Sequence, residues 1–535
     1  MTMPEHARDF RSLRALVTLT AAILLLAAGT QEAEQSAGPQ TRADLGQVPR
    51  LQSASAGQLR LTADRAARLA RASAEGLDYV PGEALVKFRA GASVAVQAQA
   101  VDGLARRDAT GMRWIGDVAL VTSDVEMDAR ALAAALAADP SVEYAEPNYL
   151  ARLDPVATGY AAPLSGGAVP NLVPNDPDYA SRQWNFDAIG LPRAWDISPG
   201  GDSSVIVAIV DTGVTASAGT MTFRLWTGSS FVDAPIAYAT NTDLSASRFV
   251  APMDFVFFDA GGPVIDMDGH GSHVAATVAE DTNNGFGLAG IAYNVRIMPV
   301  KVCLGYWEFM FIRGEDGVTG FANPDTSSCP FSALAEGIRY AADNGARIIN
   351  MSLGGTGQSN TLRDAMRYAI DKGVFISMSG GNRAETGNQV GYPAFYGQQF
   401  GGAMAASSVG RNLAKAYYSS TGSYIEIAAP GGDARSGGSG GVIWQSTVRQ
   451  PDVNPFLTMP RFDRYEGSGF QGTSMAAPHV AGLAALLMSR GITSPAHVEG
   501  IITQTARDLG ASGKDDEFGH GLIQPRAALF GLGIR

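Results

Sequence analysis

From residue 176 onward the chain repeats one pattern: a short run of consecutive apolar residues, then a longer stretch with helical character. Residues 204–211 read SVIVAIVD, 296–302 read RIMPVKV, 347–353 read RIINMSL and 374–378 read VFISM, with helical stretches such as 332–344 between them. Runs that are apolar at every position, rather than at alternate ones, need cover on both faces. That requirement predicts an α/β fold with a mostly parallel sheet flanked by helices. In such sheets chemistry gathers at the carboxyl ends of strands. Asp211 closes one of these runs.

The first part of the chain has a different texture. Residues 77–153 carry an extended piece (YVPGEALVKF), a middle strand (VALVTS), a helix at 128–138 and a last strand at 142–150. This order predicts a small α+β domain with an antiparallel sheet. Residues 154–174 are rich in Pro, Gly and Ala and read as an exposed, cuttable linker. Residues 31–76 read as a spacer, with an Ala/Arg helical stretch near 56–74. At the start, Arg8, Arg11 and Arg14 precede the apolar run ALVTLTAAILLLAA, so residues 1–30 have the form of a secretory signal peptide. The run is shorter than the ~20 residues a spanning helix needs. A retained signal anchor is the alternative. Export to the extracellular space or periplasm follows, with no stable membrane anchor. With 40 basic and 52 acidic residues the net charge is −12, so no basic field exists to hold nucleic acid.

Three segments carry chemistry. Residues 470–482 read FQGTSMAAPHVAG, in which Gly472 permits a tight turn and Ser474 falls at the start of an Ala-rich helix. Unpaired N–H groups there can stabilise an oxyanion. Residues 268–275 read DGHGSHVA and place His270 and His273 three apart. A histidine suits a base that must be neutral near pH 7; a metal pair on one helix face is the rival reading. Residues 205–213 read VIVAIVDTG, where Asp211 ends a buried strand and needs a partner. Each segment alone has a plainer reading: a capping serine, a metal pair, a turn-capping aspartate. Together they supply a nucleophile, a base and an orienting acid.

DTG at 211–213, HGSHVA at 270–275 and GTSMAAPHVAG at 472–482 resemble the three signature motifs of the subtilase family of serine peptidases. The resemblance extends from about residue 176 to FGHGLIQPRAAL at 518–529. It implies a subtilisin-like catalytic domain at 175–535 and a triad of Asp211, His270 and Ser474. It implies that Asn382, within MSGGN, is the oxyanion-hole asparagine. It also implies that Ser352, Leu353, Gly354 and Gly355, within NMSLGG, line the substrate cleft. VPGEALVKF and VEYAEPNY resemble the family's inhibitory propeptide, which implies a ferredoxin-like domain at 77–153 that occupies the cleft until removed. NDPDYASRQWNFDAI at 175–189 resembles the mature N-terminal segment, placing the maturation point between about 161 and 176.

Ser272 stands where the family usually has threonine, and the hydroxyl is kept. The stretch 303–330 replaces a short strand and carries Trp307, Phe309, Phe311 and Phe321, which predicts a reshaped or covered groove. Cys303 and Cys329, the only cysteines, can pair in an exported protein; two free thiols are the alternative. The loop 281–290, DTNNGFGLAG, resembles one that holds structural calcium in relatives, although no carboxylate partner downstream of Asp211 is evident. The chemistry itself needs no cofactor. The expected partners are polypeptide substrates and the chain's own propeptide, with the enzyme a monomer. A non-catalytic binding protein and an esterase are the competing functions.

Overall fold

The computed structural model describes residues 63–102, 104, 113–123, 127–153, 160–162, 173–257, 259–260, 262–315, 317, 327–449 and 460–531. The leader at 1–30, most of the spacer at 31–76 and most of the linker at 154–174 lie outside the described residues.

The main sheet has eight strands in the order Asp259–Ala260, Met253–Asp254, Arg296–Lys301, Ile206–Asp211, Ile348–Met351, Phe375–Ser379, Ala403–Val409 and Ile427–Pro430. All neighbours are parallel except the short edge pair. The reason the strands are apolar at every position is visible along Ile206–Asp211. Val207 and Ile209 face one layer with Val274, Val278, Val480 and Leu483, while Ala208 and Val210 face the other with Leu334, Ile338, Leu362 and Met366. Side chains alternate across a strand, so two covered faces leave no polar position.

Helix Thr473–Ser489 is buried along almost its whole length. The sequence places Pro478 in the opening of this helix and offers Thr473 or Ser474 as its cap. In the structure Gly472 is the cap and Pro478 lies inside the helix. A proline there leaves the carbonyl one turn earlier without its donor. That carbonyl belongs to Ser474, and the Ser352 hydroxyl donates to it at 2.7 Å. The defect is repaired from a neighbouring strand end.

The small domain holds antiparallel strands Tyr79–Phe88, Arg113–Ile115, Val118–Thr122 and Val142–Ala151 with helix Ala129–Ala137, whose amides are capped by Asp128. The strand and helix expected from sequence at 142–150 and 128–138 differ from these bounds by a residue. Cys329–Pro330 of the large domain adds to the same sheet, pairing with Ala151 and Leu150. The domains also meet through polar caps. Glu146 accepts from the Ser359 hydroxyl and from the amides of Asn360 and Thr361, at the start of helix Asn360–Asp371. Asn148 donates to Ser332 at 3.0 Å, and Arg113 pairs with Glu336. The end of the region read as a spacer is a helix, Ala63–Glu75.

Cys303 and Cys329 form a disulfide across 26 positions. Within the segment it closes, helix Tyr306–Glu315 packs on the hairpin Gly219–Trp226 and Phe231–Tyr238, and Phe223 stacks on Phe311 at 3.7 Å. The expected aromatic cover over the groove is therefore not what the described residues do: Trp307, Phe309 and Phe311 are buried in packing interfaces. Apolar rings gain most where both faces leave water, and the hairpin supplies the second face. Phe321 lies outside the described residues. Among the described residues no helix is long and apolar enough to cross a membrane.

Candidate active site

Asp211 ends the strand Ile206–Asp211, Ser352 lies just past Ile348–Met351, and Asn382 lies just past Phe375–Ser379. These three strands are neighbours, so their carboxyl ends form one continuous edge. The sheet topology alone thus gathers residues far apart in sequence.

His270 opens the helix His270–Ala279, and the start of that helix is tied to the end of the Asp211 strand. Asp266 accepts from the amides of Gly269 at 2.8 Å, Asp268 at 3.1 Å and Ser272 at 2.8 Å, and from the Thr212 hydroxyl at 2.9 Å. The same Thr212 oxygen accepts from the Gly271 amide at 2.8 Å. Gly271 is required for this approach, since a Cβ there would lie 2.2 Å from the Gly213 carbonyl oxygen. The result is a 2.7 Å hydrogen bond between His270 Nδ1 and Asp211 Oδ1. Asp211 Oδ1 also accepts from the Thr212 amide, and the residue is wholly buried.

Behind Asp211 lies a buried ion pair. Lys301 stands beside Asp211 in strand register, donates to the Thr212 carbonyl and pairs with Glu308 at 2.7 Å. Glu308 also accepts from the Gly305 amide. No motif or spacing in the chain marks Thr212, Asp266, Lys301 or Glu308 for these roles. The nearest to a signal is the acid-rich DMDGH run that holds Asp266 ahead of the helix; Lys301 and Glu308 carry none beyond their type.

The two neighbouring histidines have opposite environments. Burial lowers the basicity of His270, but the Asp211 carboxylate beside it outweighs that and raises the pKa above the usual 6.5. His273 is pushed down to about 3, first by burial and then by the charge of His270. Its Nε2 lies 3.1 Å from the carbonyls of Ile443 and of Ser468, and its ring stacks on Phe470. The two rings address different partners, which argues against a shared metal. Among the described residues no group of three or more His, Cys, Asp or Glu is placed to hold a metal. Asp268 is pushed up to about 7 by burial and by the nearby Asp266 charge.

Ser474 sits at the start of its helix, buried, with its hydroxyl donating to the Ser352 carbonyl at 3.1 Å. Among the described residues no hydrogen bond joins it to His270; the helices bearing the two share one core. Asn382 Oδ1 accepts from the Thr473 amide at 2.9 Å and the Thr473 hydroxyl at 2.8 Å. With its oxygen held there, the amide nitrogen lies 3.2 Å from where a Gly472 Cβ would stand.

The cleft edge is paired with the small domain's tail. Gly354 and Arg152 exchange both backbone hydrogen bonds, at 2.9 and 3.1 Å, in an antiparallel bridge. On the other side Ala151 pairs with Cys329, and the Leu153 amide donates to the Ser327 hydroxyl at 2.9 Å. The tail is thus an extended strand held between two walls, one of which ends at the disulfide. Leu353 is buried beside this edge. Gly355 differs from Gly354: both its backbone groups are paired with Tyr392. Further along, Tyr160–Ala162 pairs with residues 467–469, the strand that leads to Ser474.

Around the loop 281–290, Asp176 accepts from the amides of Asn283 and Asn284, and Asp243 from the Asn284 side chain and the Leu288 amide. Asp243 thus lies downstream of Asp211 and is fastened to this loop. Burial pushes its pKa up to about 7.

A model of the subtilase family matches residues 202–521, and a model of the fervidolysin N-terminal prodomain matches residues 65–148. Among curated proteins, thermitase of Thermoactinomyces vulgaris is 33% identical over 64% of this chain and 94% of its own length. A thermophilic serine proteinase of a Bacillus strain, AK1, is 29% identical over 82% of this chain and 86% of its own. The crystal structure of fervidolysin from Fervidobacterium pennivorans covers 85% of this chain and 61% of its own with a TM-score of 0.60 at 23% identity, a likeness of fold.

Proposed function

The chain belongs to the subtilase family of serine endopeptidases, and from that premise we propose an exported, self-inhibited enzyme that cuts extended polypeptides through an acyl-enzyme on Ser474. The observation that carries this reading is the 2.7 Å Asp211–His270 pair at the sheet edge shared by Ser352 and Asn382, which bond to Ser474 and Thr473. His270 Nδ1–H donates to Asp211, leaving Nε2 as the base. The Ser474 hydroxyl turns from the Ser352 carbonyl to His270, gives up its proton and attacks the scissile carbonyl. The oxyanion accepts from the Asn382 amide and the Ser474 backbone N–H. His270 then returns the proton to the leaving amine, and water repeats the sequence on the ester. These steps draw on the chain's own groups.

Substrate binds as the tail does now, as a strand added along Gly354 and the wall that ends at Cys329. A substrate cannot enter while Arg152 holds that edge, so the prodomain is the inhibitor. Ser352 and Leu353 shape the same edge, while Gly355 supports it through Tyr392. Export follows from the leader at 1–30, and the relatives include an extracellular protease of Xanthomonas campestris pv. campestris. The enzyme acts as a monomer, its cleft being formed within one chain.

A fluorophosphonate probe tests the nucleophile: wild type should label and digest casein, and Ser474→Ala should do neither. Casein digestion undiminished in Ser474→Ala would sink the assignment, and labelling without casein digestion would favour an esterase.

Calcium would be structural. Asp176 and Asp243, both held against the loop 281–290, would supply the carboxylate oxygens, and the charge of a hard cation there would relieve the buried Asp243. Chelation should lower the thermal midpoint and added calcium should restore it; an unmoved midpoint rules the site out.

A further inference from the structure

Helix Ala63–Glu75 precedes the small domain's sheet and bridges two bodies. One side is fastened to the small domain: Arg68 donates to the carbonyls of Pro81 at 2.9 Å and Ser123 at 3.0 Å. The other side is an apolar stripe, Ala66, Leu69 and Ala72, spaced three apart along one face. These residues share a buried cluster with Val80 and Leu150 of the small domain's own sheet and with Val256, Phe257, Leu304, Phe309 and Ile312 of the large domain. Phe309 and Ile312 belong to helix Tyr306–Glu315, inside the disulfide-closed segment. That helix is covered twice, by the hairpin at Trp307, Met310 and Phe311, and by the N-terminal helix at Phe309 and Ile312. Arg65 adds a polar contact to Ser332 at 3.2 Å.

We infer that the disulfide-closed segment is a second docking surface for the prodomain, separate from the substrate cleft, and that its ligand is the apolar stripe of helix Ala63–Glu75. This rests on the reading of the small domain as inhibitor. Two linked contacts hold more tightly than either alone, because release of one leaves the other to restore it. A cut within the linker at 154–174 frees the tail but leaves this helix seated. It then adds to the contacts of Glu146, Asn148 and Arg113 in slowing release of the cut prodomain, and activity lags until the prodomain leaves.

The test uses the full-length chain, allowed to process itself, with gel filtration of the products and hydrolysis of a fluorogenic peptide followed in time. Residue 69 precedes the linker, so Leu69→Ala leaves the mature enzyme's sequence unchanged. In wild type the cut prodomain should co-elute with the enzyme and activity should lag. In Leu69→Ala the fragment should separate and the lag should shorten by about tenfold or more, the expected scale for losing a buried leucine contact. Ile312→Ala should do the same from the enzyme side, and the double variant should go no further than either single one. An unchanged lag and co-elution in Leu69→Ala, or additive effects of the pair, overturns the inference.

A wild type without hydrolysis would count against the proposed function instead. The docking surface is then judged by hydrogen exchange on the Ser474→Ala precursor, which needs neither cutting nor catalysis. Amides of 306–315 should be protected there and lose protection when Leu69→Ala is added; equal exchange in both chains overturns the inference.

Discussion

The catalytic edge and the prodomain contact are both buried, and both join segments remote in sequence, yet different forces hold them. At the edge, polar atoms meet specific polar partners: Asp211 with His270, Asn382 with Thr473, Lys301 with Glu308 and the Thr212 carbonyl. At the prodomain contact, apolar side chains share one cluster in which no member has a unique partner. A polar atom stripped of its partner in a buried site keeps its desolvation cost, whereas a truncated apolar group loses only its share of area. The edge should therefore answer substitution in the rate of the chemical step, and the periphery in lag and stability with that rate kept.

The largest effect expected after loss of the nucleophile is that of Asp211→Asn, a fall in kcat on the order of 10⁴ because the imidazole is held in the wrong tautomer. The same variant tests the electrostatics. Only neutral His270 can accept a proton, and its raised pKa places the acid limb of kcat/KM above pH 6.5 in wild type. Without the Asp211 charge, burial is opposed only by the weaker pull of the Asp268 and Asp266 carboxylates, so the limb should move to lower pH. A limb that stays in place would show that the pair does not set the base.

Next, Asn382→Ala should cost about 10² to 10³ in kcat with KM little changed, since the amide acts on the developing oxyanion. An effect confined to KM would move Asn382 from catalysis to ground-state binding and blur the contrast between the two regions.

The smallest of these effects belongs to the periphery. Replacing both Cys303 and Cys329 with Ser should lower stability by roughly 3 to 4 kcal/mol on a chain-entropy basis, for a loop of 26 positions. The thermal midpoint should drop while kcat at a low temperature holds. A large loss of kcat at full stability would mean that the disulfide shapes the cleft wall at Cys329, and that the periphery is part of the catalytic edge after all.

Much of this molecule was legible from its residues. Strands with continuous apolar runs specify a covered parallel sheet, because a polar side chain on either face must find a buried partner, as Ser377 does at the Ala477 carbonyl within Phe375–Ser379. Asp211, His270, Ser474 and Asn382 stand in Gly-rich motifs whose glycines permit close backbone approach, as at Gly271 against Gly213. The presence of two cysteines in an export context pointed to their pairing. Local pattern carried these features because each depends on a few neighbouring residues.

Other features had no local signal. Thr212, Asp266, Lys301 and Glu308 hold the Asp211–His270 pair from separate segments, and only the folded chain brings them into one network. Ser352 repairs the carbonyl that Pro478 leaves open, a pairing across 122 positions. The stretch 303–330 with its aromatic residues read as one that reshapes or covers the groove, but the side of a helix that is buried depends on what packs against it. Here the hairpin and the N-terminal helix supply that packing, and neither can be assigned from the helix's own residues. Sequence determined the chemistry available and the class of fold. Tertiary structure decided which buried groups meet, because long-range contacts are set by sheet order and layer packing rather than by spacing along the chain.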